Sequence, residues 1–187
     1  MVQPAPIYGL SAKEMWLHAV AAQAAASDLQ RRCRGAMVPG LASTAALVHD
    51  IGKLVLANAF GTEQTALERH VEDHNVSWVD AERSLAGYDH AQIGGLIAKR
   101  WNFPAPLIRA IEAHHEAAHL PSDALIDAVV AADVVARTAG FGVGKSSLLQ
   151  PYDHDVFPRL GLDVPAFVAA CAETTRRVTE LRQLFRI

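Results

Sequence analysis

Histidines and aspartates recur in this chain where their neighbours are apolar. His49 and Asp50 stand side by side within Leu47-Val48-His49-Asp50-Ile51-Gly52-Lys53-Leu54-Val55-Leu56. Apolar residues at 47, 48, 51, 54, 55 and 59 have helical spacing, so most of this segment is expected to face a core. An imidazole and a carboxylate in such a place cost free energy unless something satisfies them. A metal could take both as ligands, since His nitrogen and Asp oxygen suit Zn, Mn, Fe or Ni. A hydrogen-bonded pair would serve as well, and the stretch alone leaves both solutions open.

The same peculiarity returns along the chain. His18 lies beside Met15, Leu17, Val20 and Ala21, while His90, His114 and His115 fall on or at the ends of apolar helical patterns. Asp133 sits within Val129-Val130-Ala131-Ala132-Asp133-Val134-Val135. Any one of them taken singly reads best as a hydrogen-bonded core residue. Together they would each need a separate partner, whereas one polar centre serves them all, and a metal site is the simplest such centre. Of the adjacent pair, His114 continues the apolar stripe of Leu107 and Ile111. Neighbours on a helix point about 100° apart, so only one of His114 and His115 is expected to face the site. Lys53, one turn beyond Asp50, is placed either to meet a phosphate as a point charge or to snorkel from an apolar helix into water.

Helices must position these groups. Ser11-Ala12-Lys13-Glu14 is a capping box that opens a helix to about residue 32. Gly35 and Gly40 bracket a break, and a second helix carries His49 and Asp50 and ends near Phe60-Gly61. A polar helix follows from Thr62 to about Asn75, then a short one from Ser77 to Gly87. Asp89 caps a helix from His90 to Asn102, and the internal Gly94-Gly95 points to a close helix crossing. Further helices are expected from Leu107 to Glu116, from Pro121-Ser122 to about Thr138, and from Asp163 to the end. No strand alternation or repeat interrupts this all-α pattern, and 187 residues suit a single domain, 1–187.

Composition narrows the function. Half the residues are apolar (51%), which favours a globular fold, and a formal charge of -3 gives no basic face for nucleic acid. No apolar run is long enough to span a membrane. Cys33 and Cys171 have no metal-type spacing and read as reduced thiols, so a cytoplasmic protein is expected. Ala139-Gly140-Phe141-Gly142-Val143-Gly144-Lys145-Ser146 fits a relaxed phosphate-loop pattern but follows a helix instead of a strand, which argues against nucleotide binding there. His70 and His74 belong to a charged segment and read as a solvated face; His119 and His154 fall in expected loops.

The ordered set His18, His49-Asp50 and Asp133 resembles the HD superfamily of metal-dependent phosphohydrolases. The wording around it is closer to the HDOD branch of bacterial signalling domains. The carriers are residues 47–56, then Asp89-His90-Ala91-Gln92-Ile93-Gly94-Gly95-Leu96 with Arg100-Trp101-Asn102-Phe103-Pro104, then Ile108-Arg109-Ala110-Ile111-Glu112-Ala113-His114-His115, then Ala132-Asp133. The resemblance covers about residues 10–145, with a C-terminal helix at about 164–186 outside it, and implies an HD-type helical bundle. It implies that His18, His49, Asp50 and Asp133 hold one divalent transition metal (Fe, Mn, Zn or Ni). A second ion would use His90 with His114 or His115, bridged by Asp50, and Lys53 would assist at the substrate phosphate. HDOD domains usually carry a further helical segment upstream, so this chain is expected to be a fragment or to lack that part. The HD-GYP relatives follow their double histidine with Arg and Gly-Tyr-Pro. Here Glu116 precedes Ala117-Ala118-His119-Leu120-Pro121, which argues against cyclic di-GMP. The expected function is a signal-transduction domain with a metal site, with a phosphoester or nucleotide ligand and a signalling protein as partners. Its alternative is a non-catalytic interaction module whose polar core is structural.

Overall fold

Local signals start and stop most of the helices. The structure, a computed structural model, describes residues 8–33, 40–60, 64–144 and 152–186. The Ser11–Glu14 capping box opens α1 (Ala12–Arg32), with both reciprocal hydrogen bonds made. Gly40 in the left-handed region precedes α2 (Leu41–Val48), and α3 (Ile51–Phe60) follows after a two-residue turn. Next come α4 (Gln64–His74) and α5 (Trp78–Ala86), the latter capped by Ser77 and closed by left-handed Gly87. An Asp89–Gln92 capping box opens α6 (His90–Arg100), and α7 (Ala105–Ala113) begins with Pro106 in its first turn. A short 3₁₀ turn (Ala117–His119) leads to α8 (Ala124–Thr138), then α9 (Val156–Arg159) and α10 (Val164–Phe185). Among the described residues there is no strand, and no helix is long and apolar enough to cross a membrane.

The core forms around α8, whose residues from Ile126 to Ala136 are buried without interruption. An Ala-rich face of α1 (Ala21, Ala22, Ala25, Ala26) meets it, joined by Ala42, Ala45 and Ala46 of α2 and by Ala170 and Val178 of α10. Small side chains let these helices approach closely, which is where the abundance of alanine is used. Helix α6 lies between α3 and α7. A second, smaller cluster of Tyr8, Leu67, Val71, Trp78 and Ala81 holds α4 and α5 together.

Three sequence expectations change. The single helix expected through His49 and Asp50 is two helices, α2 and α3, broken at that pair. The His49 imidazole donates from Nδ1 to the Ala46 carbonyl at 2.8 Å, the same carbonyl a continuous helix would offer to the Asp50 amide. The apolar run around the pair does not face the core throughout, because Leu47, Leu54 and Val55 are exposed. Helix α3 is buried through Gly52, Leu56 and Ala57 instead. Helix α7 starts at Ala105, not Leu107, and stops at Ala113, so His114 to Glu116 lie beyond it. The expected terminator Gly61, the break at Gly35 and the Lys145-Ser146 end of the phosphate-loop pattern fall outside the described residues.

The Gly94-Gly95 crossing expected from sequence is present, and Gly52 is its tightest point. A Cβ on Gly52 would lie 1.9 Å from the His90 carbonyl oxygen and 2.7 Å from the Gly94 nitrogen. One on Gly94 would meet Ile111 Cγ2 at 2.8 Å. Backbone contact between α3 and α6 thus brings Asp50, two residues before Gly52, up to His90.

A candidate metal centre

Five elements deliver their polar side chains to one place. His18 comes from α1, His49 and Asp50 from the turn after α2, His90 from the first position of α6, His114 and His115 from the turn after α7, and Asp133 from α8. His18, His49, His90, His114 and Asp133 are all buried. Asp50 lies at the middle. Its Oδ1 is 3.2 Å from His90 Nε2, 3.6 Å from His49 Nε2 and 3.9 Å from His114 Nε2, and its Oδ2 is 3.5 Å from His18 Nε2. Asp133 Oδ1 is 3.3 Å from His18 Nε2 and 3.9 Å from His49 Nε2. His115 Nε2 is 2.9 Å from His90 Nε2. Two groups have ligand atoms all within 4.8 Å of one another: His18 with His49 and Asp50, and His90 with His114 and His115.

The other ring nitrogens decide what these contacts mean. His18 Nδ1 donates to the Phe141 carbonyl at 3.1 Å, His49 Nδ1 to Ala46 at 2.8 Å, and His114 Nδ1 to Ile111 at 2.7 Å. A carbonyl only accepts, so these imidazoles carry their proton on Nδ1 and turn an Nε2 lone pair inward. His90 Nδ1 meets the fully buried Glu82 carboxylate at 2.8 and 3.0 Å, while the Glu82 Oε2 also accepts from the His90 amide at 2.7 Å. Four imidazoles therefore point Nε2 at two carboxylates. Lone pairs facing lone pairs repel, and only a cation between them makes the contact favourable. This is also how ligating histidines are oriented by their outer partners.

A proton or a metal ion could be that cation. Burial, assisted by His49 and His90, pulls His114 down to about 3, so its imidazole is neutral near pH 7. Burial likewise lowers His49. His90 differs: burial would lower it, but the Glu82 carboxylate prevails and raises it to about 9. Burial pushes both aspartates up, yet His49 and Lys53 hold Asp50 well below the usual carboxylate range, as Arg137 and His18 hold Asp133. The result is two ionised carboxylates, Asp133 buried and Asp50 largely so, among mostly neutral imidazoles. Two atoms are left orphaned in the centre. Among the described residues the His114 Nε2 has no hydrogen-bond partner, and Asp50 Oδ1, close as it is to His90, has none in line. Buried orphans of this kind are costly. A divalent transition metal that accepts from nitrogen and oxygen fits both, so the donor set suits the group that the sequence pattern suggests.

The structure brings together every residue singled out from sequence, and it admits both members of the double histidine. His114 and His115 lie past the end of α7, where helical spacing no longer separates them. Lys53 Nζ reaches Asp50 Oδ2 at 2.6 Å and lies 5.4 Å above the Tyr8 ring. His70 and His74 stack on each other at 4.2 Å on α4, and His154 lies against Tyr152; neither group joins the centre. Phe141 and Gly142, inside the rejected phosphate-loop pattern, back His18 instead: a Cβ on Gly142 would lie 2.5 Å from His18 Nδ1.

Sequence reasoning missed the supporting groups. Glu82 stands eight residues before His90 in a segment that reads as an ordinary amphipathic helix. Its neighbour Arg83 donates to Asp89, the N-cap beside His90, at 2.7 Å and also pairs with Glu116, which follows His115. Adjacent residues of α5 thus hold both histidine-bearing corners. Arg137 pairs with Asp133 at 2.8 Å one turn later on α8. The only sequence signal for Glu82 was its placement on a helix that otherwise buries Trp78, Val79 and Ala81.

Comparison with known proteins agrees with this architecture. The family model for the HDOD domain matches residues 1–117. An uncharacterized protein of Treponema pallidum (strain Nichols) is 30% identical over 93 residues, covering 49% of this chain and 18% of that protein. Among solved structures, a protein of Marinobacter aquaeolei VT8 described provisionally as a signal transduction protein superposes with a TM-score of 0.75 at 22% identity, over 91% of this chain and 38% of that one. An HDOD domain protein of unknown function from Geobacter sulfurreducens gives 0.71 at 22% identity, over 93% and 62%. A protein of Shewanella amazonensis SB2B described provisionally as a phosphohydrolase gives 0.69 at 21% identity, over 92% and 66%. At these identities the structures share the fold. The chain spans less than a fifth of the Treponema protein and about two fifths to two thirds of the solved ones.

Proposed function

This chain belongs to the HDOD domain family, and we propose that it is a signal-transduction domain whose polar centre holds one or two divalent transition-metal ions and acts on a phosphoester. One observation carries this reading: four buried imidazoles donate hydrogen bonds from Nδ1 to outer partners and aim Nε2 at Asp50 and Asp133. His18, His49, Asp50 and Asp133 would hold one ion, and His90, His114 and His115 a second, with Asp50 between them. When bound, such an ion supplies Lewis acidity at a phosphoryl oxygen. The chain's own groups do the rest. The carbonyls of Phe141, Ala46 and Ile111 and the Glu82 carboxylate keep the imidazoles oriented. Lys53, partly exposed beside Asp50, brings a positive charge to the phosphate of a ligand.

A second reading has its own support. Leu47, Leu54 and Val55 expose apolar surface on the two helices that flank the His49–Asp50 turn. Such surface suits a signalling protein as partner, and a centre that serves only as a metal-braced core would then be non-catalytic.

Elemental analysis of the purified protein, beside His49→Ala and Asp50→Ala, tests the common part. One or two equivalents of transition metal, lost in both variants, is the expected result. No metal after incubation with Mn(II) or Fe(II) sinks the metal reading. A phosphoester panel then separates the two: turnover abolished in Asp50→Ala supports the enzyme, and a metal-loaded protein that turns over none of them supports the interaction module.

A further inference from the structure

Each carboxylate of the centre carries a cation one turn further along its own chain segment. Lys53 Nζ is 2.6 Å from Asp50 Oδ2, and Arg137 Nη2 is 2.8 Å from Asp133 Oδ2. The arrangement is the same on both sides. On each, Oδ1 faces imidazole Nε2 atoms and Oδ2 meets the cation, with Asp50 Oδ2 also facing His18. His18 Nε2 lies between the two carboxylates, 3.5 Å from Asp50 Oδ2 and 3.3 Å from Asp133 Oδ1, so Lys53 and Arg137 flank one centre from separate helices. Both side chains are largely covered, at 21% and 17% exposure. Arg137 is under-used: its Nε is buried and has no hydrogen-bond partner among the described residues.

A guanidinium that spends one nitrogen on a carboxylate and leaves Nε orphaned keeps unused donors of the fork that matches a phosphate. The charges lead the same way. Without a metal, the two cations neutralise two buried carboxylates. A divalent ion that takes those carboxylates as ligands offsets their charge and so weakens the attraction holding Lys53 and Arg137. The part-buried pair then leaves the centre with a net positive charge, and an anion is what such a place recruits.

We infer that Arg137, with Lys53, forms an anion clamp for the phosphoryl group of the ligand, closed on Asp133 and Asp50 in the metal-free protein and turned to the ligand when metal occupies the centre. The inference rests on the metal reading above and adds a residue and a coupling to it: metal and phosphate each tighten the binding of the other.

Reciprocal coupling can be read without any turnover. The measurement is Mn(II) affinity from the free-ion paramagnetic resonance signal, with and without inorganic phosphate, corrected for the manganese–phosphate complex in solution. In the native protein, phosphate should tighten Mn(II) binding by about tenfold, within the usual range for coupled sites. In Arg137→Gln the tightening should fall below about twofold. Binding without phosphate should be no weaker than native, because the variant removes a cation that competes for Asp133. Arg137→Lys keeps a charge without the fork and should retain an intermediate coupling, and it carries the test should the Gln variant fail to fold. Equal coupling in native protein and variants, or none in a native protein that binds Mn(II), overturns the clamp and leaves the metal reading standing. A native protein that binds no Mn(II) overturns both.

Discussion

Replacing Gly52 by alanine should damage the protein far more than the added methyl suggests. The new Cβ would lie 1.9 Å from the His90 carbonyl oxygen, where contacts below 3.0 Å are essentially never seen. Relief requires α3 and α6 to part by at least 1.1 Å at this point, the difference between those two distances. Both obstacles, the His90 carbonyl and the Gly94 nitrogen, are backbone, so no side chain can swing aside. Overpacking costs about 1–3 kcal/mol where side chains adjust, which puts a backbone clash at about 3 kcal/mol or above. For a domain of this size that corresponds to a melting temperature roughly 6–12 °C lower. The same parting would carry His90 away from Asp50, 3.2 Å distant in the native protein, so bound metal should fall as well. Gly95→Ala is the control, one residue from Gly94 on the same helix. The three atoms nearest its Cβ all belong to the Glu112 side chain, at 2.8–3.0 Å, and Glu112 is partly exposed and able to shift with its partner Lys99. Alanine also favours the helix by about 1 kcal/mol over glycine, so this variant should melt within about 3 °C of native. Thermal unfolding followed by circular dichroism, with metal content by elemental analysis, reads both. Equal losses in the two variants, or a Gly52→Ala protein with native melting and native metal content, would refute the crossing as what brings Asp50 to His90.

Glu82→Gln keeps the shape beside His90 but sets an amide NH₂ against one of two donors, the His90 amide or Nδ1. Loss of such outer support typically costs 10–100-fold in metal affinity, and Mn(II) titration of a normally folded variant with native affinity would exclude the role. Arg159→Ala strips the buried Asp127 of the bonds at 2.6 and 2.8 Å that tie α9 to α8. Because Arg159 is itself a quarter exposed, the loss should be about 2–4 kcal/mol, near the lower part of the range for broken buried pairs; urea denaturation reads it, and a change under 1 kcal/mol contradicts it. Burial would raise the Asp153 carboxyl, but Arg159 and the Asp155 amide hold it below its usual value. A depressed folded value means that its contribution is full above about pH 4, the unfolded value, and fades as the pH falls. Asp153→Asn should therefore flatten the loss of stability as the pH falls below about 4, and an unchanged acid slope would show that the pair contributes nothing.

The fold was legible because most helices are announced locally. Ser11 with Glu14, Ser77, Asp89 with Gln92, and Asp163 all act as the caps their spacing implies, and Gly87 ends its helix in the left-handed region. Burial was less legible. Leu47, Leu54 and Val55 share the periodicity of a core stripe, yet α3 turns its glycine inward, because the smallest residue permits the closest approach. Periodicity reports that a helix has an apolar face; it does not rank that face against a contact made by bare backbone. Hence Gly52, which no hydrophobic pattern marks, is the residue that packs tightest.

The double histidine shows where helical geometry fails as a guide to a site. On a continuous helix His114 and His115 would point about 100° apart, and one would be lost to the centre. The imidazole of His114 prevents that by bonding the Ile111 carbonyl three residues back, at 2.7 Å, where α7 ends. His49 does the same with Ala46 at the end of α2, and Asp50 follows it. In both places a histidine uses Nδ1 to close its own helix, which fixes its tautomer, aims Nε2 inward and releases the next residue from the helical path. One hydrogen bond thus orients a histidine and admits its neighbour, and a dipeptide of ligand-type residues enters a single centre. A histidine followed directly by a second ligand-type residue, at the end of an apolar helix, is therefore the signal to read, and the wheel drawn through it is the step to abandon.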